Sequence, residues 1–373
     1  MSRSVIYRFS CAGFLVFGVT IFCGGTNANA NPVSIYDYHQ VGSFILPTSN
    51  SLYSTLPTGQ LLVLNGSQVL LQNGIDSSSF TPQGNLPTAN FNSGFPSFLD
   101  ASPNGALVAA GDGSGDIAVF SPANPSAATI YSLPNGGDYN AAWYNTNLLA
   151  ITDSNGVDVL NTTTNTITTV VSDIDGYSGG IAFDSAGNLY TGDGYYLGSG
   201  PSQTGLIKAF SALNWLGVLP TPSNPSGGTA LDFENQGTSV AQLLSAGSLG
   251  FDNSGNFYVG GADSFGSTGD YGYDTLVSAT AIQSAVATQQ PTLITASSSA
   301  DIVNIPDPDG QYNPGYWNYN DATGELYLQY SDFGDNTVEI FSPVPEPGSI
   351  MLLTLCGAAT ILRRNRRSLS ASA

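Results

Sequence analysis

Between residues 31 and 343 this chain has no cysteine, no methionine and no arginine. All three cysteines (Cys11, Cys23, Cys356), both methionines and every arginine fall in the first thirty or the last thirty residues. A thiol-free body has no use for cysteine catalysis, and it is stable in an oxidising compartment without disulfides. A body without arginine has no guanidinium clamp for phosphate. Its only lysine is Lys208 and its only histidine is His39. Of the chain's 27 Asp and Glu residues all but Glu346 lie in this body, so its net charge is about −25. That balance argues against nucleic acid, which needs Lys and Arg to neutralise phosphates. It argues equally against an anionic membrane surface. Cations, polar glycans and basic partners remain. A Ser-His-Asp site would have to use His39, which reads more simply as a polar residue beside a closing strand. Helical periodicity is nearly absent, with one candidate turn at 280–287. The aromatic content, 11%, separates the body from a disordered acidic tail, and its length is ample for a large core.

What is present at the two ends concerns targeting. Arg3 and Arg8 form a charged n-region, Cys11 to Cys23 an apolar run, and Ala28-Asn29-Ala30 an A-x-A cleavage site. Residues 1–30 therefore read as a signal peptide for Sec export. A lipoprotein reading would use Cys23, but Phe22 before it is bulky where a small residue is usual. At the other end Val344-Pro345-Glu346-Pro347 precedes an apolar run from Ile350 to Leu362 and then Arg363, Arg364, Arg366 and Arg367. The prolines can continue neither a ladder nor a helix, so the folded body ends before them. The apolar run is short for a full span, and the arginines belong on the cytoplasmic side. This order, over residues 344–373, resembles the PEP-CTERM sorting signal of Gram-negative bacteria. The resemblance implies processing by an exosortase after an inner-membrane intermediate, then release or attachment at the cell surface.

Internal repeats organise residues 31–343. Turn residues, a Gly or Asn, and a short apolar strand recur around positions 59, 105, 146, 187, 255 and 324. The first intervals fit a propeller blade of about 40–50 residues. The last two are longer by about 25 residues, as insertions would make them. A second strand follows each copy across Gly, Asp and Asn, the residues of hairpin turns. Hydrophobic alternation and this period predict an all-β fold, a β-propeller of six or seven four-stranded blades. A β-sandwich array or a β-helix is the rival. Val33-Ser34-Ile35-Tyr36 resembles the late strands of the other repeats, and an N-terminal strand is expected to close the ring against the last blade. The clearest copies are Phe183-Asp184-Ser185-Ala186-Gly187-Asn188-Leu189-Tyr190 and Phe251-Asp252-Asn253-Ser254-Gly255-Asn256-Phe257-Tyr258. They resemble the NHL and gluconolactonase-like propellers. That group holds a divalent ion in its central channel, but no residue here matches those ligands distinctly.

Candidate chemistry is sparse, and no catalytic residue is assigned. Asp184, Asp252 and Asp321 are expected to occupy equivalent turns and to accept their own backbone N–H groups. Lys208, in Ile207-Lys208-Ala209-Phe210, is expected on the solvated face of a strand. Asp112 and Asp116, and Asp307 and Asp309, stand in Gly-rich clusters of the oxygen-ligand type that calcium takes, without EF-hand spacing. Tyr271, Tyr273, Tyr316 and Trp317 lie among Gly, Asp and Asn, where aromatic faces suit sugar rings; blade-to-blade packing is their bland alternative. Two functions stay open. One is an exported surface or matrix protein that binds a partner such as polysaccharide or another surface protein. The other is a secreted propeller enzyme, a metal-dependent lactonase or a glycan lyase or hydrolase.

Overall fold

The computed structural model describes residues 38–48, 51–75, 77–89, 91–92, 96–174, 178–193, 205–243, 246–261, 273–293, 302–306, 316–329 and 336–343. The chain opens with β1 (Tyr38–Ile45). Blade 1 is β2 (Leu52–Thr55), β3 (Leu61–Asn65), β4 (Gln68–Gln72) and β5 (Phe80–Asn85). Blade 2 is β6 (Phe98–Ala101), β7 (Val108–Gly111), β8 (Asp116–Ser121) and β9 (Asn124–Ser132). Blade 3 is β10 (Asn140–Trp143), β11 (Leu148–Thr152), β12 (Val157–Asn161) and β13 (Thr166–Ser172). Blade 4 begins with β14 (Ser178–Phe183), β15 (Leu189–Asp193) and β16 (Gly205–Phe210). An insertion follows, holding α1 (Ala212–Leu216) and β17 (Leu231–Asp232), before the outer strand β18 (Thr238–Leu243). Blade 5 repeats the plan with β19 (Ala246–Phe251), β20 (Phe257–Gly261) and β21 (Tyr273–Val277). Its insertion holds α2 (Ala279–Thr288) and β22 (Thr292–Leu293), and β23 (Ile302–Pro306) completes it. Blade 6 is β24 (Tyr316–Asn320), β25 (Glu325–Gln329) and β26 (Thr337–Pro343).

The fourth strand of blade 6 is β1, antiparallel to β26 from Tyr38 opposite Pro343 to Ile45 opposite Thr337. The ring thus closes by pairing the N-terminal strand with the last blade, as expected. The closing strand starts just after Val33–Tyr36, which lie outside the described residues. The six repeat copies each fall between the first and second strands of one blade, which makes the blade count six among the described residues. The long intervals after positions 187 and 255 are the two insertions. Each insertion reaches back to the preceding blade. β17 pairs in parallel with β13, and β22 pairs in parallel with β18, covering outer edges that would otherwise expose N–H and C=O groups.

Burial explains the strand sequences. Six clusters of buried apolar side chains sit one at each interface between neighbouring blades, including the interface of blade 6 with blade 1. A second strand is therefore covered on both faces. Leu61, Leu62, Val63 and Leu64 are all fully buried, so this strand reads as a continuous apolar run rather than the alternation that a half-solvated sheet gives. Trp215 of α1 fills the interface of blades 3 and 4, and its Nε1 donates to the Gly187 carbonyl at 3.0 Å. Among the described residues no helix is long and apolar enough to cross a membrane.

Candidate functional site: the central channel

The repeated turn is built by its aspartate. Asp184 Oδ1 accepts the backbone N–H groups of Ala186 and Asn188, both at 2.9 Å. Asp252 Oδ1 does the same for Ser254 and Asn256, both at 2.8 Å. The second oxygen of each accepts the side-chain amide of that asparagine, at 2.8 Å. The repeat glycines Gly187 and Gly255 take φ of 80° and 79°, the left-handed region that suits glycine. Asp321 departs from the expected equivalence. In blade 6 the turn is one residue longer, and Asn320 Oδ1 accepts the N–H of Ala322 at 3.1 Å in the aspartate's stead. That leaves the Asp321 carboxyl free of the turn, exposed beside the channel.

Lys208 also differs from its expectation. It is 7% exposed, and its Nζ donates to the carbonyls of Phe233 at 2.5 Å and Glu234 at 2.9 Å, under a cation–π contact of 5.1 Å to the Phe233 ring. The reason is the insertion of blade 4, which folds over β16 and offers carbonyls where a regular blade would offer water. His39 lies exposed on β1 opposite Ser342. Asp112 and Asp116 are engaged locally. Asp112 Oδ1 accepts from Ser114 N, Ser114 Oγ and Asp116 N, and Oδ2 from Asn92 N at 2.9 Å. Burial raises this carboxyl, but those N–H and O–H donors outweigh it and hold the group below its ordinary range. Asp116 accepts from Ser132 Oγ. Among the described residues no three Asp, Glu, His or Cys side chains converge as metal ligands. Asp307, Asp309, Tyr271 and the tail residues 344–373 lie outside the described residues. Tyr273 and Tyr316 are placed by backbone pairing, opposite Gly261 and Gln329. Trp317 is buried at the interface of blades 5 and 6, with ring centroids 5.7 Å from Tyr258 and 6.3 Å from Phe341.

The first strands of all six blades surround a cavity of about 290 Å³. Leu52, Leu99, Ile181 and Leu249 border it with side chains buried in the blade interfaces, while Asp100, Asn140, Ser248, Asn318 and Asp321 supply polar groups, and the exposed lining is more polar than apolar. No Lys, Arg or His is among its lining residues. Asp100 Oδ2 accepts the Trp143 N–H at 3.1 Å, and the Asp100 carbonyl accepts Trp143 Nε1 at 3.1 Å, which fixes blade 2 to blade 3. The carboxyl touches the cavity yet is packed by protein on its other sides. This burial pushes it up to about 7, against the pull of the Trp143 and Ala101 N–H groups. Tyr258 feels Asp100 from blade 5. Burial first, then the charges of Asp100, Asp252 and Asp321, hold its phenol far above the ordinary range. Its ring lies against Gly250, where a Cβ would fall 1.9 Å from the phenol carbon, so only glycine admits it. Tyr38 of the closing strand donates to Asp252 Oδ2 at 2.9 Å, tying the N-terminal strand to the turn of blade 5. Asp100 was not singled out by sequence reasoning. Its signal is an acid inside the apolar strand Phe98-Leu99-Asp100-Ala101.

Strand pairing and the axial cavity define the class: a six-bladed β-propeller with an acidic, base-free channel. Residues 343–367 match the PEP-CTERM protein-sorting motif, which directs export and cell-surface sorting in Gram-negative bacteria and processing by an exosortase. Two solved structures show a distant likeness. One is the PQQ-bound form of aldose sugar dehydrogenase from Streptomyces coelicolor, with 13% identity over 81% of this chain and 98% of the other, at a TM-score of 0.48. The other is a mitotic checkpoint complex, with 15% identity over 90% of this chain and all of the other, also at 0.48. No curated protein matches the chain.

Proposed function

We propose that this is an exported propeller that acts by binding at the cell surface or in the extracellular matrix, with polysaccharide as its partner and the channel as its site. Residues 1–30 serve as the signal peptide, and the mature body follows exosortase processing of residues 344–373. The observation that carries the binding reading is the cavity itself. Its lining, more polar than apolar and without a base, on a chain that bears a surface-sorting motif, suits a small polar ligand. One feature favours the enzymatic alternative, a lactonase or a glycan lyase or hydrolase: Asp100 and Asp321 line the same cavity, and glycoside hydrolysis uses two carboxyl groups. The test is to isolate surface and released protein from the native host. Mass spectrometry is expected to find no peptide containing Arg363 to Arg367, and the purified body is expected to retain the host's exopolysaccharide without shortening it. An intact C-terminus on the mature protein would overturn the processing. Polysaccharide that passes unretained would overturn the binding, and chain shortening would favour the enzyme.

A further inference from the structure

The channel has a one-sided charge. Its acids are Asp100 and Asp321, and its remaining titratable lining groups are tyrosines. A ligand carrying carboxylate, sulfate or phosphate would enter with no cation to meet it, inside a body of charge about −25 that repels it at a distance. A neutral ligand would leave the buried Asp100 without a counter-charge. A ligand with an ammonium group would supply one, and the aromatic residues Phe183, Phe251 and Tyr319 of the lining favour a cation further. A second observation points to the rest of the ligand: the lining also holds Asn140, Ser248 and Asn318, polar groups that suit the hydroxyls of a sugar. The cavity lies at the small end of ligand pockets, so it accommodates one sugar unit rather than a chain.

Building on the channel-binding reading above, we infer that the ligand is a hexosamine unit with an unsubstituted amine, its ammonium paired with Asp100 and assisted by Asp321. The partner polysaccharide is then a partly de-N-acetylated glycan, held by an amine-bearing unit. Uronic-acid and sulfated polymers are rejected. Burial that raises the Asp100 carboxyl to about 7 leaves it about half ionised at neutrality, and ammonium binding would draw it fully to the charged form with release of a fraction of a proton.

The experiment is calorimetric titration of the processed body at 0.15 M salt with the glucosamine tetramer, the N-acetylglucosamine tetramer and an oligouronate of equal length. The expected result is that the free-amine tetramer binds on the order of tenfold more tightly than the acetylated one, a difference of about 1.4 kcal/mol, with no binding of the oligouronate. Asp100→Asn is expected to abolish that preference. Should its melt show a folding defect, Asp321→Asn, at an exposed rim position, is expected to reduce the preference in part. Equal binding of the two tetramers would overturn the amine while leaving glycan binding in place. A preference that survives in both variants would mark general attraction to an acidic protein, and would also overturn the inference. No binding of any oligomer would remove both the inference and the reading beneath it.

Discussion

Asp158 is an acid in the middle of an apolar strand, fully buried on β12 between Val157 and Val159. Thr169 Oγ1 donates to its Oδ1 at 2.6 Å, while Oδ2 has no donor among the described residues. Its neighbour is the equally buried Asp153, which accepts the N–H groups of Asn155 at 2.8 Å and Gly156 at 2.7 Å. Burial first, and then the Asp153 carboxylate, raise the Asp158 carboxyl. Asp138 is pushed up to about 6 by burial, and Asp100 to about 7. For an acid whose folded pKa is raised, the folded state binds the extra proton. Its stability is fully present below the unfolded value near 3.8 and is lost as pH rises through the folded value. The melting temperature is therefore expected to fall between about pH 4 and pH 7. Asp158→Asn keeps the shape and offers its amide to Asp153. It is expected to stabilise the body at pH 8 by on the order of 1–3 kcal/mol and to flatten the pH slope without abolishing it, since Asp100 and Asp138 remain. Urea melts at pH 4.5 and pH 8 check this, and an unchanged slope would mean the pair is not linked to folding. None of these acids was recognised from the sequence as buried, because neither alternation nor spacing tells which carboxylate a neighbouring blade will cover.

At the scale of elements, the turn of the repeat carries two loads. Asp184 and Asp252 close it, and the asparagine they hold does more. Asn188 Oδ1 accepts the N–H of Ala212 at 3.1 Å, and Asn256 Oδ1 that of Ala279 at 3.0 Å. These are the first residues of α1 and α2, whose caps, Ser211 and Ser278, accept a further N–H each. The same cluster of side chains therefore shapes a blade's first turn and starts the insertion behind its third strand. Asp184→Ala and Asp252→Ala are each expected to cost about 1–3 kcal/mol, since Asp252 holds two buried and two partly buried donors and Asp184 three partly buried ones and one exposed. Asp321→Ala, whose turn rests on Asn320, is expected to change stability by no more than about 0.5 kcal/mol. Equal losses at all three positions would restore the equivalence that the geometry denies. The contrast shows what the sequence could tell. Phe-Asp-x-x-Gly-Asn was legible because its hydrogen bonds span four residues, and the helix at 280–287 because its period is local. The slip of one residue at Asn320-Asp321 was hidden by a shared Asp and Gly. The destinations of β17 and β22 were hidden because parallel addition to another blade leaves no local pattern. Lys208 was misjudged for the same reason, its partners lying 25 and 26 residues onward.

For the whole molecule, the ring is held by six apolar interfaces and opposed by its own charge. Screening length at 0.1 M salt is about 10 Å, so added sodium chloride is expected to raise the melting temperature modestly. Calcium tests something else. If Asp112 and Asp116, or Asp307 and Asp309, contribute to a specific site, millimolar calcium adds a saturable increment over an ionic-strength-matched sodium control. Identical melts in the two salts would reduce calcium to diffuse screening. The burial of Lys208 has a consequence outside folding. Proteases of the trypsin type cut after lysine or arginine, and residues 31–343 offer them one such bond, whose side chain is locked under the insertion of blade 4. Once its basic tail is gone, the native propeller presents these enzymes with no accessible cleavage point. Such a body can persist among secreted proteases, and digestion at its single lysine would report unfolding rather than surface accessibility.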